Sequence, residues 1–256
     1  MCLILCAYKS HPRYHLVLAA NRDEFLARPT AGADWWDDAS DILGGRDLEQ
    51  MGTWLGCTRG GRFAAVTNYR EPGSERRDAP SRGGLVREFL ESDGGVEEFL
   101  SRIRAEGGEY NGYNLLFGAD GSLGYHSNRG DGGKPLESGI YGISNHLLDT
   151  PWPKVRRGKA RFTNILSRHR DRLPTDELFE MLGDRTRAPD GELPDTGLGI
   201  ELERMVSPIF TVGKEYGTRC STVFAIDHEG SAYFEERDAG SGRSVSYRFD
   251  VAYRNN

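Results

Sequence analysis

Cys2 follows the methionine at position 1 directly and heads the apolar run CLILCAY. A methionine before a small residue is normally removed after translation, which would make Cys2 the first residue of the mature chain. Its thiol and a free α-amine would then sit together. An α-amine titrates near ~8, so it can serve as a general base at neutral pH. Nucleophile and base would share one residue, and no histidine would be required. The plain alternative is a small cysteine packed in a buried strand. Asn21-Arg22-Asp23-Glu24 closes a second apolar run. An arginine near Cys2 favours its thiolate, and an aspartate could hold or orient the amine. The alternative is a solvated turn with its own surface ion pairs. Asn68 and Asn145 each end a strand-like run. Amide donors there suit an oxyanion, although asparagine is also a common turn residue. Arg219, in YGTRCSTVFAID, is the last candidate.

Other chemistry finds less support. The cysteines are Cys2, Cys6, Cys57 and Cys220. They form no C-x-x-C pair, which argues against a zinc site. Four cysteines in 256 residues do not make a disulfide framework. A reduced, cytoplasmic protein is the expectation. The histidines, at 11, 15, 126, 146, 169 and 228, are scattered, with no H-E-x-x-H and no haem-attachment motif. Cys57 and Cys220 lie inside strand-like runs, where a buried inert thiol is the default, so a papain-like pair is set aside. Net charge is -6, with no basic run to hold a nucleic acid. No apolar stretch approaches the roughly 18 residues of a membrane span. No signal peptide is recognisable. A small-molecule substrate or ligand is the expected partner, and nothing sets an oligomeric state.

The elements that must position these residues read as follows. Apolar runs at 2–8 and 14–20 flank the polar turn Lys9-Ser10-His11-Pro12-Arg13, a hairpin buried on both faces. Such a hairpin returns Arg22 and Asp23 to the side of Cys2. Residues 29–50, with Pro29, Gly32, Gly44, Gly45 and several aspartates, read as loop. Strands are expected at 52–58, 62–68, 112–118, 122–127 and 139–144. Helical periodicity marks 84–91, 95–105, about 152–170 and 175–182. Residues 184–204 read as loop, and strands close the chain at 208–213, 219–227, 231–237 and 244–251. Consecutive hairpins point to antiparallel sheets. A four-layer αββα sandwich, one domain over 1–256, buries every apolar face. The class is α+β.

The motifs also carry a resemblance. Met1-Cys2 and Asn21-Arg22-Asp23-Glu24 are joined, in order, by Arg28-Pro29, Gly44-Gly45-Arg46-Asp47 and Gly52-Thr53-Trp54-Leu55-Gly56. Thr67-Asn68-Tyr69-Arg70, Ser81-Arg82-Gly83, Tyr113-Asn114-Leu115 and Gly142-Ile143-Ser144-Asn145 follow. Asp149-Thr150-Pro151-Trp152-Pro153-Lys154 and Gly217-Thr218-Arg219 complete the set. Over nearly its whole length the chain resembles the NRDE, or transport-and-Golgi-organization, family. That family resembles the cysteine N-terminal-nucleophile (Ntn) hydrolases, such as the bile-salt and penicillin acylases, which share the αββα sandwich. The resemblance implies Cys2 as nucleophile, with Asp23 as partner of its amine. It puts Asn68 and Asn145 at the oxyanion and substrate, and Arg219 closing the site. Arg22 joins the catalytic set, and Asn21, Arg46, Trp54 and Tyr69 are expected at the substrate. Two departures stand out. Ala20 precedes Asn21, where the acylases carry arginine. Met51 stands where many relatives have a glycine. The leading expectation is an amidohydrolase cleaving a non-peptide C–N amide without a cofactor. The alternative is a non-catalytic haem- or lipid-binding trafficking protein, because eukaryotic members are tied to Golgi organization and to haem or lipid handling.

Overall fold

The computed structural model describes residues 2–252, so Met1 and its removal lie outside the described residues. In chain order the strands and helices begin β1 (Cys2–Tyr8), β2 (Tyr14–Phe25), β3 (Thr30–Trp36), β4 (Ala39–Asp47), β5 (Leu55–Thr58) and β6 (Phe63–Asn68). Then come α1 (Arg82–Glu91), α2 (Val96–Glu106), β7 (Tyr113–Ala119), β8 (Ser122–Ser127), β9 (Lys134–Pro135) and β10 (Gly139–Ile143). The chain ends with α3 (Pro153–Arg168), α4 (Thr175–Leu182), α5 (Ile200–Val206), β11 (Tyr216–Asp227), β12 (Ser231–Asp238) and β13 (Ser244–Asp250).

Two antiparallel sheets stack. One runs β10-β1-β2-β11-β12-β13, the other β3-β4-β5-β6-β7-β8-β9. The two-residue alternation of β1 explains its unbroken hydrophobicity. Ile4, Cys6 and Tyr8 point into the core between the sheets, against Leu55, Phe63 and Leu116. Leu3, Leu5 and Ala7 point the other way, onto Val155 and Phe162 of α3. On the far side, Phe89 of α1 and Phe99 of α2 pack on Phe117. The layers are therefore helix, sheet, sheet, helix, and the expected sandwich and α+β class hold.

Several local expectations are corrected. The stretch 29–50 is mostly the β3–β4 hairpin. Its aspartates at 34, 37, 38 and 41 are exposed, while Ala33, Trp36, Ile42 and Leu43 face inward. The glycines that suggested a loop make room within a strand. A Cβ on Gly44 would lie 2.7 Å from the Leu55 carbonyl oxygen. Strand β2 does not stop at 20 but continues through Asn21-Arg22-Asp23-Glu24, because β1 and β11 pair with it on both sides. Residues 208–213 form no strand. Ile209 is buried, but the segment bonds irregularly, as in Phe210 N–H to the Asp184 carbonyl at 2.8 Å. Within 184–204 the short helix α5 begins, and β11 starts at Tyr216 rather than 219.

Candidate functional site

The end of β2 lies between β1 and β11, with Cys2 opposite Arg22 and Thr218 opposite Asp23. Around it opens a cleft of ≈ 390 Å³, whose lining includes Cys2, Arg22, Asp23, Trp54, Asn68 and Tyr216. The cleft is within the size range of small-molecule sites.

Cys2 is half-buried, and its carbonyl accepts a 2.9 Å hydrogen bond from the Ser144 hydroxyl. Burial pushes its thiol above the ordinary value, and the Asp23 carboxylate adds to this. The Asp23 backbone N–H and the Arg22 guanidinium pull it back. The thiol therefore needs a base to react near neutral pH.

Asp23 is buried. Its carboxylate accepts the Thr218 hydroxyl at 2.6 Å and the Thr211 hydroxyl at 3.4 Å. Its backbone carbonyl accepts the Tyr216 hydroxyl at 3.0 Å. Arg22 is also buried, donates to the Thr30 hydroxyl at 3.1 Å and lies 4.1 Å from the Trp54 ring centroid. Trp54 reaches that position because residue 45 is glycine. A Cβ there would stand 2.2 Å from the indole. Gly52 and Gly83 bring two further motifs together, since a Cβ on Gly52 would lie 2.5 Å from the Gly83 carbonyl carbon. The Gly-Thr-Trp segment thus abuts the start of α1 and forms one wall of the cleft.

Of the other residues expected at the site, Asn68 lines the cleft, whereas Asn21, Arg46, Tyr69, Asn145 and Arg219 are not among its lining residues. Asn21 is buried, donating to the Leu182 and Ile209 carbonyls at 2.8 and 2.9 Å and accepting from the Ser221 hydroxyl at 2.6 Å. It braces the strand against α4. Asn145 is fully buried and donates to the Asn68 carbonyl at 2.8 Å, which ties the two strand ends together at the cleft that Asn68 lines. Arg219 falls in the register shift between Thr218 and Cys220. Its guanidinium holds the carbonyls of Phe25, Leu26 and Arg28, which fixes the loop after β2. Arg46 forms a bidentate pair with Asp38 at 2.8 Å and stacks over Trp36. The Tyr69 ring packs on His146.

Sequence reasoning missed other members of the site. Arg28, Arg76, Arg77 and Arg82 line the cleft. Arg28 pairs with Asp47 and Arg82 with Glu75, whereas Arg76 and Arg77 have no acidic partner among the described residues. Lys154, at the start of α3, is 2% exposed and lies 3.7 Å from the Asp23 carboxylate. Burial depresses its pKa, and Asp23 opposes that. A signal for Lys154 was present, because it stands four residues before Gly158 and eight before Phe162, on the inward face of α3. No grouping of three or more His, Cys, Asp or Glu among the described residues could hold a metal, and no described helix is long and apolar enough to cross a membrane.

Comparison with known proteins adds relatives. Residues 1–241 match the family described as Transport and Golgi organisation 2. The chain is 39% identical to a Transport and Golgi organization protein 2 homolog from Bos taurus, covering 93% of this chain and 92% of the relative. It is 29% identical to Transport and Golgi organization protein 2 of Drosophila melanogaster, covering 92% and 91%. Among solved structures it is similar to an N-acylethanolamine-hydrolyzing acid amidase ortholog from Caenorhabditis elegans. That match has a TM-score of 0.48 and 10% identity over 87% of this chain and 92% of the other. A conjugated bile acid hydrolase from Clostridium perfringens matches with a TM-score of 0.44 and 11% identity over 100% and 99%.

Proposed function

This chain belongs to the Transport and Golgi organisation 2 family, and on that premise we propose that it is an amidohydrolase with Cys2 as its N-terminal nucleophile. One observation carries the reading. Cys2 lines the cleft with its sulfur beside the Asp23 backbone N–H and Arg22, and a buried carboxylate adjoins it. Removal of Met1 frees the α-amine, which takes the thiol proton. The thiolate attacks the amide carbon, and the carbonyl oxygen becomes an oxyanion within reach of the Asn68 amide. The α-amine returns its proton to the leaving nitrogen as the C–N bond breaks, leaving a thioester on Cys2. Water, deprotonated by the same amine, then releases the acid.

The cleft's charges support a substrate class. Five arginines and four carboxylates line it, and Arg76 and Arg77 have no acidic partner among the described residues. The substrate is a small amide bearing an anionic group. Cys2→Ala is expected to abolish turnover of N-acyl amino acids while leaving the unfolding temperature unchanged, and surviving turnover would sink the mechanism. Intact mass supplies the second check: the protein must be lighter by one methionine. Arg77→Ala is expected to raise KM roughly tenfold for N-acyl amino acids but not for neutral N-acyl alkylamines, since a charged contact contributes about 1.5 kcal/mol or more. Stoichiometric haem binding indifferent to Cys2→Ala, with no amide turnover, would favour the carrier instead.

A further inference from the structure

Lys154 is buried, and among the described residues its ammonium makes no hydrogen bond of ordinary length. The Asp23 carboxylate lies 3.7 Å away. Asp23 already has hydroxyl donors in Thr218 and Thr211. The lysine is therefore not needed to satisfy the carboxylate's hydrogen bonds. It also occupies a place in the α3 stripe, beside Val155 and Gly158, where an apolar side chain would avoid the cost of desolvating an ammonium. A charge kept at such cost points to an electrostatic task.

The proposed mechanism supplies one, and the inference rests on that reading. A carboxylate close to an amine favours the ammonium form. Asp23 alone would orient the α-amine of Cys2 but also hold it protonated, and an ammonium has no lone pair for the thiol proton. We propose that Lys154 is a positioning residue whose cation offsets the Asp23 carboxylate, so that the Cys2 α-amine stands as a neutral base at neutral pH. The remaining charges nearby are largely paired. Arg22 lies 3.8 Å from Glu24, Arg70 pairs with Glu203 of α5, and Arg82 of α1 faces Glu75. Beyond Arg22, the Cys220 thiol and the buried Glu236 carboxyl complete the surroundings. Arg70 also acts on Asp23 and Lys154, and Arg22 on Cys2, but Lys154 stands 3.7 Å from the Asp23 carboxylate and so bears directly on its charge.

The test labels the α-amine of the full chain with acetic anhydride across pH, after hydroxylamine removes thiol adducts, and reads the N-terminal peptide by mass. The wild-type midpoint is expected below the ordinary ~8 of an α-amine. Lys154→Met should raise it by about one unit or more, the size of effect a charge at this range exerts. Lys154→Arg should keep the wild-type midpoint. If circular dichroism shows Lys154→Met unfolded, Lys154→Gln replaces it. A wild-type midpoint at or above ~8, or one that neither neutral variant moves, overturns the inference while leaving the hydrolase reading intact. A retained methionine in the intact mass overturns both.

Discussion

Met51 has a left-handed backbone, φ 58°, in the turn after β4, and its N–H donates to the Asp47 carbonyl at 2.8 Å. The methionine has not abolished the turn a glycine would make; it occupies that turn at a steric cost. A side chain in this region costs roughly 1–2 kcal/mol, and glycine's greater unfolded-state entropy offsets part of the gain from removing it. Met51 is also 48% exposed, so little packing is lost with its side chain. Met51→Gly is therefore expected to raise the unfolding free energy by about 0.5–1 kcal/mol, read as a higher urea midpoint at unchanged slope. A lower midpoint would mean that the side chain packs more than its exposure indicates. At this scale the sequence was legible where a residue's role follows from its neighbours in the chain. Cys2 and Asp23 could be placed together because a hairpin fixes their separation. Arg46 and Arg219 could not be placed, because their partners, Asp38 and three loop carbonyls, depend on where hairpins and a register shift turn each guanidinium.

The β3–β4 hairpin shows what a strand must give up to position a site. Gly45 has no Cβ, so the Trp54 indole lies against the strand and offers its face to Arg22. Gly45→Ala would set a methyl 2.2 Å from the ring and 3.3 Å from the Ala31 carbonyl oxygen. The indole would have to move, since the backbone on the other side cannot. A loss of about 1–3 kcal/mol is expected from such overpacking. It should appear as a lower urea midpoint together with a raised KM for the anionic amide, because Arg22 loses the surface it stacks on. An unchanged midpoint would show that the indole moves freely. The same glycines misled the sequence reading of 29–50. Glycine and aspartate signal turns when local chain preference decides, but here contact with Trp54 and the Leu55 carbonyl decides instead. Strand β1 was legible from a continuous apolar run, and helices α1 to α4 from their apolar periodicity, because each pattern records which faces are covered. The charged end of β2 was not, because its burial depends on partners in distant strands: Thr218 for Asp23, and Trp54 and Thr30 for Arg22.

Across the whole molecule, two sheets share one core while each keeps a second interface with its own helices. A disturbance in the outer layer of the seven-stranded sheet therefore tests global stability at a distance from Cys2. His126 provides one. It is 2% exposed on β8, opposite Leu115 on the face covered by α1 and α2, and 2.9 Å from the Tyr113 hydroxyl. Burial, with help from the Arg104 charge, pulls its pKa down from 6.5 to about 4. The unfolded chain takes up this proton near 6.5, whereas the folded chain resists until about 4. Between those values the unfolded state binds more protons, so stability falls as pH falls. Above about 6.5 the group contributes no pH dependence, and below about 4 its penalty is complete. The full penalty is on the order of 3 kcal/mol. His126→Phe removes the titration and keeps a ring in the site. The Tyr113 hydroxyl loses its partner, but that cost is the same at every pH in the window. Urea unfolding at several pH values between 7 and 4 should therefore show a smaller loss of stability in the variant than in the wild type. Parallel curves would mean that His126 takes up its proton in the folded chain as readily as in the unfolded one, and that the helix-facing side of this sheet opens to water well before the core between the sheets does.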